Sequence, residues 1–588
     1  MEFKRCEWKL CRRSRLLQSS LAFIRRALAS ISPPLGQPVR LLCFIANGHK
    51  ANWLIVLVSM LLLPAVSLDL HAQEKVASHK PTRFSVSRFV ASGNTLLSNE
   101  AIDAALRPYV GQDRSMPDLL AAAATLQDAY RNEGYGAVVV FVPQQSLEAG
   151  EVRLSVVEGK ISEVKLSGNQ EFSNENIRAS LPTLKEGHTP QVTKIDAEIQ
   201  LANENPAKQL QVTLVSGINP GDVEALIDVT EKNPLSILLG FNNTGTDSTG
   251  NYRTTIGIQH ANLWGHDHVG SLQYQISPGE LEKVGIYSAG YRWPVYPYRI
   301  SIDAFYAHSD VDNGTTSTPA GPLQFAGRGD IFGLRLNKHL TRLGEYDHRL
   351  ILGWDVRDYK NDCSIGVFGA SACGTAGASV TVRPMSLTYT GQAMGARRFG
   401  VNLSLASNLF PGGNHGDQTD FEANRPGADA HYTVWRASGF AGATLPGDWL
   451  IEGRLSGQYS QDALVSNEQF GLGGASSVRG YQERERVGDS GFTATAEAYT
   501  PDLHTQLGIT SGSLRFLAFY DYGRIANHLG APCAVGETAC KLAGAGVGAR
   551  FVLGSSFSAQ FDVARALMDG TQHKSGSYRG HLSVALAF

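Results

Sequence analysis

WLIEGRLSGQY, residues 449–459, alternates residue by residue. Trp449, Ile451, Leu455 and Tyr459 fall on one face, and Glu452, Arg454, Ser456 and Gln458 on the other. A period of two is the signature of a β-strand with one apolar and one polar face. The apolar face begins and ends in an aromatic ring, and the polar face carries two charges near its middle. The same alternation returns in GSLQYQI (270–276), RISIDAFY (299–306) and SSFSAQFDV (555–563). Periodicity alone fits a soluble sandwich equally well, with its polar faces toward water.

The amino end decides where such strands fold. Residues 1–50 are rich in Lys and Arg, and Trp53 to Val66 form an uncharged apolar run of 14 residues. That is shorter than the roughly 20 residues of a membrane-spanning helix and suits a signal-peptide core; a short membrane anchor is the other reading. Small residues at 65–67 and at Ala72 offer cleavage sites, so residues 1–72 read as a leader and 73–83 as a short linker. Four of the seven cysteines lie beyond the leader, in two close pairs, Cys363 with Cys373 and Cys533 with Cys540. Each pair brackets a small-residue loop, as local disulfides of an oxidising compartment do. A metal site is the weaker alternative, because neither loop supplies a histidine.

In an exported chain, central charges on the polar faces and aromatics ending the apolar ones favour a barrel whose apolar face meets lipid. The last residues agree: in HLSVALAF, Leu582, Val584, Leu586 and the terminal Phe588 share one face. Residues 235–588 number 354, and at roughly ten residues per strand plus connections about 16 strands fit.

The preceding segment contains a repeat. VSRFVASGNTLLSNEAIDAAL (86–106) matches ISEVKLSGNQEFSNENIRASL (161–181) at 10 of 21 positions, 75 residues apart. Each copy reads as a strand, a Ser-Gly-Asn turn, then a helix capped by Ser98 or Ser173. With the helix and strand runs that follow, the unit is β-α-α-β-β, used twice, over 84–160 and 161–234.

A net charge of −2 gives no reason to expect nucleic acid. GDSG, residues 488–491, shares four letters with the nucleophile segment of trypsin-like proteases but lacks the matching histidine segment. GxSxG, HExxH and GxxxxGK[ST] are absent. No enzyme activity, cofactor or metal is expected, and the pair His266 and His268 reads as a polar turn.

DAYRNEGY, VPQQSLEAGEVRLSVVEGKI and NENPAKQLQVTLVSGINPGDVEALIDV resemble the paired polypeptide-transport-associated (POTRA) domains of two-partner secretion transporters, the haemolysin secretion/activation proteins of Gram-negative outer membranes. LLGFNNTGTDSTGNYR and NLWGHDHVGSLQYQI are similar to the opening barrel strands of that family, and HLSVALAF to the terminal assembly signal of outer-membrane barrels, ending in Phe588. The fold class implied is an all-β transmembrane barrel of 16 antiparallel strands preceded by two α+β POTRA domains lying in the periplasm.

SSVRGYQERERVGDSGF, residues 476–492, contains Val478, Arg479, Gly480 and Tyr481, which match the VRGY motif of the superfamily's lumen loop between strands 11 and 12. An arginine inside a barrel needs a partner or water. In SLRFLAFYDYGRI (513–525), parity puts Leu514, Phe516, Ala518, Tyr520 and Tyr522 toward lipid and leaves Arg515, Leu517, Phe519 and Asp521 inside. Phe519 and Asp521 also match the family's F-x-D motif, so parity and resemblance choose the same partner for Arg479. The alternating run 483–486 reads as solvated by lumen water. Residues 73–83 leave little room for the pore-plugging helix of some relatives.

The resemblance implies passage, without ATP, of an unfolded secreted exoprotein, large and β-helical, captured by strand addition at POTRA sheet edges. The other partners implied are the barrel-assembly machinery during biogenesis and outer-membrane lipid. The alternative is an outer-membrane assembly insertase of the same superfamily. A passive porin has no need of POTRA modules.

Overall fold

The computed structural model describes residues 83–588, apart from 147–149, 247–249, 282–283, 311–313, 319–320, 326–327, 361–377, 396, 529 and 531. The leader and all but the last residue of the 73–83 linker lie outside the described residues. So do Cys363 and Cys373, and with them the first of the two disulfides expected from the sequence.

Two small modules come first. In one, Arg88–Ser92 runs parallel to Glu151–Glu158, which pairs antiparallel with Val138–Phe141. Helix Met116–Asn132 presents Leu119, Ala122, Leu126 and Tyr130 at helical spacing, and they bury against Leu154 and Ile102. The other module repeats this plan with Lys160–Ser167, Asp222–Glu231 and Lys208–Ser216. Ser98 Oγ accepts from the Ala101 N–H at 3.3 Å and Ser173 Oγ from that of Asn176 at 3.2 Å, so both expected caps form.

The Ser-Gly-Asn turns are repeated for a steric reason. Gly93 and Gly168 have φ of 92° and 85°, and a Cβ there would stand 2.3 and 2.2 Å from the carbonyl oxygens of Val156 and Val229. Glu158 accepts from the Thr95 and Leu96 N–H groups, and Glu231 from those of Gln170 and Glu171. The last strand of each module thereby pins its own first turn. One element departs from the β-α-α-β-β expectation: Gly111–Ser115 pairs with Arg83–Val86 between the two helices of the first module. GQDRS has no apolar alternation, and backbone pairing alone makes it a strand.

Sixteen antiparallel strands then close into a barrel. They are β1 (Leu235–Asn242), β2 (Arg253–Leu263), β3 (His268–Ile276), β4 (Gly285–Val295), β5 (Ile300–Ser309) and β6 (Gly329–His339). Next come β7 (Tyr346–Tyr359) and β8, which is split at Arg383-Pro384 into Val380–Val382 and Met385–Met394, both paired to β7. Proline has no N–H to give the ladder. The rest are β9 (Arg397–Ser407), β10 (Thr433–Thr444), β11 (Leu450–Ser460), β12 (Ser490–Tyr499), β13 (Gly512–Ala526), β14 (Ala539–Leu553), β15 (Phe557–Ala566) and β16 (Tyr578–Ala587). The alternation has the sense expected: Phe516 and Tyr520 of β13 are each 48 % exposed, whereas Phe519 and Asp521 are buried. Closure joins β16 to β1, from Ser583 opposite Asn242 to Ala587 opposite Leu238. Phe588 exchanges two backbone hydrogen bonds with Ile237, at 3.1 and 3.0 Å.

The second module is docked onto the barrel end where β1 begins. The turn between β2 and β3, Asn262 to Asp267, carries the contact. Lys208 Nζ donates to Asp267 and, at 3.0 Å, to Asn176, while the Tyr296 hydroxyl donates to Asp267 at 2.5 Å. Lys208 and Asp267 side chains are essentially sealed from solvent. Asn176 Nδ2 reaches the Gly265 carbonyl at 2.7 Å and Asn205 Nδ2 that of Ala261 at 2.7 Å. Beside them Glu204 receives His339 at 3.0 Å, Arg349, and Ser301 at 3.2 Å, with Arg292 at 3.7 Å.

Burial pushes the Glu204 carboxyl up, but the His339 hydrogen bond and the charges of Arg292 and Arg349 outweigh it and hold the group at about 2, below its ordinary 4.5. A depressed carboxylate stabilises the folded state above its unfolded value and loses that contribution as pH falls through the folded one. Spin labels on the module and on the barrel rim should therefore report one docked distance at pH 7 and at pH 5. The distribution should broaden between about pH 4.5 and pH 2, and Glu204→Gln should show the broad distribution already at pH 7.

Candidate functional site

Residues 461–489 connect β11 to β12 at the barrel end opposite the modules and fold back into the lumen. Phe470–Leu472 pairs with Arg486–Gly488 to make the stem. Arg479 at the tip is 3 % exposed. Its guanidinium grips Asp521 of β13 with two parallel bonds, Nε to Oδ2 at 2.8 Å and Nη2 to Oδ1 at 2.9 Å, and its own backbone N–H adds a third at 3.1 Å. Such a fork fits a carboxylate better than a point charge would. Nη1 turns to Glu497 of β12 at 2.8 Å and to Asp562 of β15 at 3.5 Å. The guanidinium carbon lies 3.4 Å from the centroid of the Phe519 ring, a cation–π contact.

The neighbours of Arg479 bind the same wall. Gly480 has φ of 98° and donates its N–H to His581 Nε2 at 3.1 Å; a Cβ there would press on the β15 backbone at Ala566, 3.1 Å away. The Tyr481 hydroxyl lies 2.9 Å from the Ala543 carbonyl and 2.8 Å from that of Met568, and accepts from the Met568 N–H at 3.1 Å. Val478 packs with Leu472, Ile525, Cys540 and Leu542. Cys540 is disulfide-bonded to Cys533, with Cα atoms 6.0 Å apart, closing the β13–β14 loop. This is the one expected bridge that falls among the described residues; the loop holding Cys363 and Cys373 does not.

Two features of this stretch take shape only in the structure. The run 483–486 is half-buried, with Glu483 and Arg484 lining a lumen cavity, and its charges are bonded as well as wetted. Glu485 is sealed and accepts from the Gln572 and His573 N–H groups and from His573 Nδ1. Arg484 donates to the Gln469 and Ser466 carbonyls, and Arg486 to that of Asp569. Each charge fastens the loop to another piece of backbone. GDSG turns out to be a knot between loops: Asp489 takes both Nη groups of Arg425, the N–H groups of Leu464 and His528, and Gln469 Nε2. The Ser490 hydroxyl is spent on the Ser460 carbonyl at 3.1 Å.

Sequence reasoning named Arg479 and Asp521, and the structure brings them together; it missed Glu497, His581 and the part played by Asp562. Glu497 and Asp562 stand at inward parity of their own strands, which alternation reveals. Inter-strand register, which carries them to one arginine, leaves no mark on a single strand. Around the clamp the lumen stays charged, with a cavity of about 640 Å3 lined by Arg398, Glu452, Arg454, Arg479 and Arg550. Among the described residues no group of three or more His, Cys, Asp or Glu is placed to hold a metal ion.

A barrel with such a loop, entered from two tandem modules, has counterparts. The profile of the haemolysin secretion/activation proteins ShlB/FhaC/HecB matches residues 221–551, and that of the ShlB-type POTRA domain matches 84–159. The chain belongs to this family. The heme/hemopexin transporter protein HuxB of Haemophilus influenzae (strain 86-028NP) is 24 % identical over 483 residues, covering 79 % of this chain and 80 % of the relative. The outer membrane transporter CdiB of Dickeya dadantii (strain 3937) is 23 % identical, covering 74 % of this chain and 75 % of its own length. The solved structure of CdiB from Escherichia coli superposes with a TM-score of 0.69 at 20 % identity, over 88 % of this chain and 93 % of that one, and shares the fold. The transporter sits in the outer membrane with its POTRA modules in the periplasm, so the clamp end of the barrel faces outward. It carries a secreted exoprotein partner across that membrane.

Proposed function

We propose that residues 461–489 are the resting gate of this secretion pore, and that the exoprotein passes when Arg479 leaves its carboxylates. The observation carrying this reading is that one arginine, at the tip of a loop crossing the lumen, bonds three wall carboxylates from three strands. The partner is a large, unfolded chain destined to become β-helical. It enters through the modules at 84–160 and 161–234, adding a strand to an open sheet edge. Strand Val138–Phe141 suits that role: it pairs on one side with Glu151–Glu158, and Val139 and Phe141 point outward exposed. Folding beyond the membrane draws the chain through the 235–588 barrel without ATP. The barrel itself is inserted by the assembly machinery, reading the strand that ends in Phe588. Deleting the gene and comparing culture media by mass spectrometry tests the reading. One large β-rich protein should vanish from the medium, with the other outer-membrane barrels at normal abundance. Loss of many barrels instead would reveal an assembly insertase.

A further inference from the structure

The outward rim of the barrel is electrically lopsided. At the extracellular ends of β5, β6 and β7, the outward side chains His308, Asp330 and Asp358 belong to a self-contained cluster. Asp330 is bonded by Tyr306 at 2.6 Å, His308 at 2.8 Å and Lys360, and Lys360 lies 3.9 Å from Asp358. Across the barrel, β13, β14 and β15 point Arg524, Lys541 and Arg565 outward at the same end, all exposed. None of these three makes an ion pair or side-chain hydrogen bond with another described residue. Asp569, three residues past the end of β15, accepts from the Ser575 N–H of its own loop at 2.8 Å.

Register fixes the spacing of the three cations. Arg524 and Lys541 are directly opposite one another on β13 and β14, about 5 Å apart at Cα. Arg565 pairs with Ala545, four positions down β14 from Lys541, or about 13 Å along the strand. Its guanidinium lies 6.0 Å from the Tyr578 ring, itself exposed. Phe492 stands directly opposite Arg524 on β12, and below the cations the same face is apolar, with Tyr520, Val547 and Phe561 all exposed. Lipid-facing charge is costly at mid-membrane and tolerated near the interface, so three cations at strand ends stand at headgroup depth over a surface for acyl chains.

We propose that this face binds a phosphorylated glycolipid of the outer leaflet, of the lipid A type. Arg524 and Lys541 hold one phosphate, Arg565 holds the phosphate at the far end of the disaccharide, and the acyl chains lie on the apolar side chains beneath. An anionic headgroup supplies the counter-charge that the protein withholds here and provides for itself at Asp330. The occupant is lipid-borne, because the cations share a face with the membrane-contacting residues and stand outside the lumen.

The test uses the full chain in detergent micelles, with native mass spectrometry against bisphosphorylated lipid A, the same glycolipid stripped of phosphate, and inorganic phosphate as competitor. Each basic residue at an anionic lipid surface is worth about fivefold in binding, so three are worth about a hundredfold. R524Q/K541Q/R565Q should lose about that factor, and the phosphate-free glycolipid should bind the wild type as weakly as lipid A binds the triple variant. Lys338→Gln, on the outward face at the periplasmic end, should bind as wild type does. Heat-modifiable gel migration verifies that each barrel is folded; if the triple variant does not fold, each single variant should lose about fivefold. A folded variant that keeps wild-type affinity, or equal binding of the phosphate-free glycolipid, overturns the proposal. Displacement of lipid A by inorganic phosphate would also overturn it, in favour of a free-anion site.

Discussion

Arg479→Ala is expected to abolish export of the exoprotein while leaving a folded, membrane-inserted barrel, and to raise the conductance of the purified channel. The wild-type arginine satisfies Asp521 through Nε and Nη2 and shares Nη1 between Glu497 and Asp562. Without it the wall carboxylates fare differently. Glu497 keeps the Tyr499 hydroxyl at 2.7 Å and Arg454 at 3.1 Å, and Asp562 keeps both Nη groups of Arg550 at 2.7 and 2.9 Å. Asp521 loses its fork and is buried. Removing one partner of a buried pair costs about 3–5 kcal/mol because the other charge is stranded, so the seated loop should be disfavoured by a hundredfold or more.

Asp521→Ala should act in the same direction. The double variant should recover part of the loop's seating, since the stranded charge is gone. Gly544→Ala provides a route without charge: its Cβ would fall 2.0 Å from the Arg479 carbonyl oxygen, so the tip must lift. If Arg479→Ala and Asp521→Ala both left export and conductance unchanged, the clamp would have no part in gating.

The second large effect is expected at the joint between module and barrel. Burial pulls Lys208 below its ordinary pKa despite the attraction of Asp267, the sign of a pair whose desolvation is not fully repaid. Such a pair selects one docking geometry more than it adds stability. Lys208→Met strands Asp267 against Tyr296 alone and should cost about 3–5 kcal/mol of docking. Spin-label distances between the second module and the rim should change from one narrow peak to a broad distribution, and export should fall with them. Lys208→Met combined with Asp267→Asn should restore much of the narrow peak, because no buried charge is left without a partner. Asparagine is the suitable replacement, since Asp267 has φ of 63° and Asn accepts left-handed backbone. An unchanged distance distribution in Lys208→Met would remove this pair from the docking mechanism.

Much of this was written in local pattern. Trp449 and Tyr459 at the ends of one apolar face, with Glu452 and Arg454 between them on the other, describe a strand between lipid and a polar lumen. The repeated Ser-Gly-Asn turns mark both modules because Gly93 and Gly168 admit no side chain. Asp521 could be chosen for Arg479 because strand parity is a property of one strand. Charge without context says less: the β15–β16 loop closes over the Glu485 side chain, while Arg484 stays half-exposed beside a lumen cavity. GDSG fails as a nucleophile segment for want of a matching histidine segment, and only the position of Asp489 among three loops makes it a knot.

Local pattern in the sequence set the strands, their faces and the two modules, because alternation, capping and steric demand act within a few residues; Arg479 stood out by its likeness to the VRGY motif, and parity on β13 supplied Asp521 as its partner. The tertiary structure alone decided which carboxylates meet that arginine, that Lys208 meets Asp267 across 59 residues, and that the rim cations gather on β13 to β15. Those facts depend on register and closure, set by pairing between strands far apart in the chain, where a shift of one residue turns every side chain to the other face.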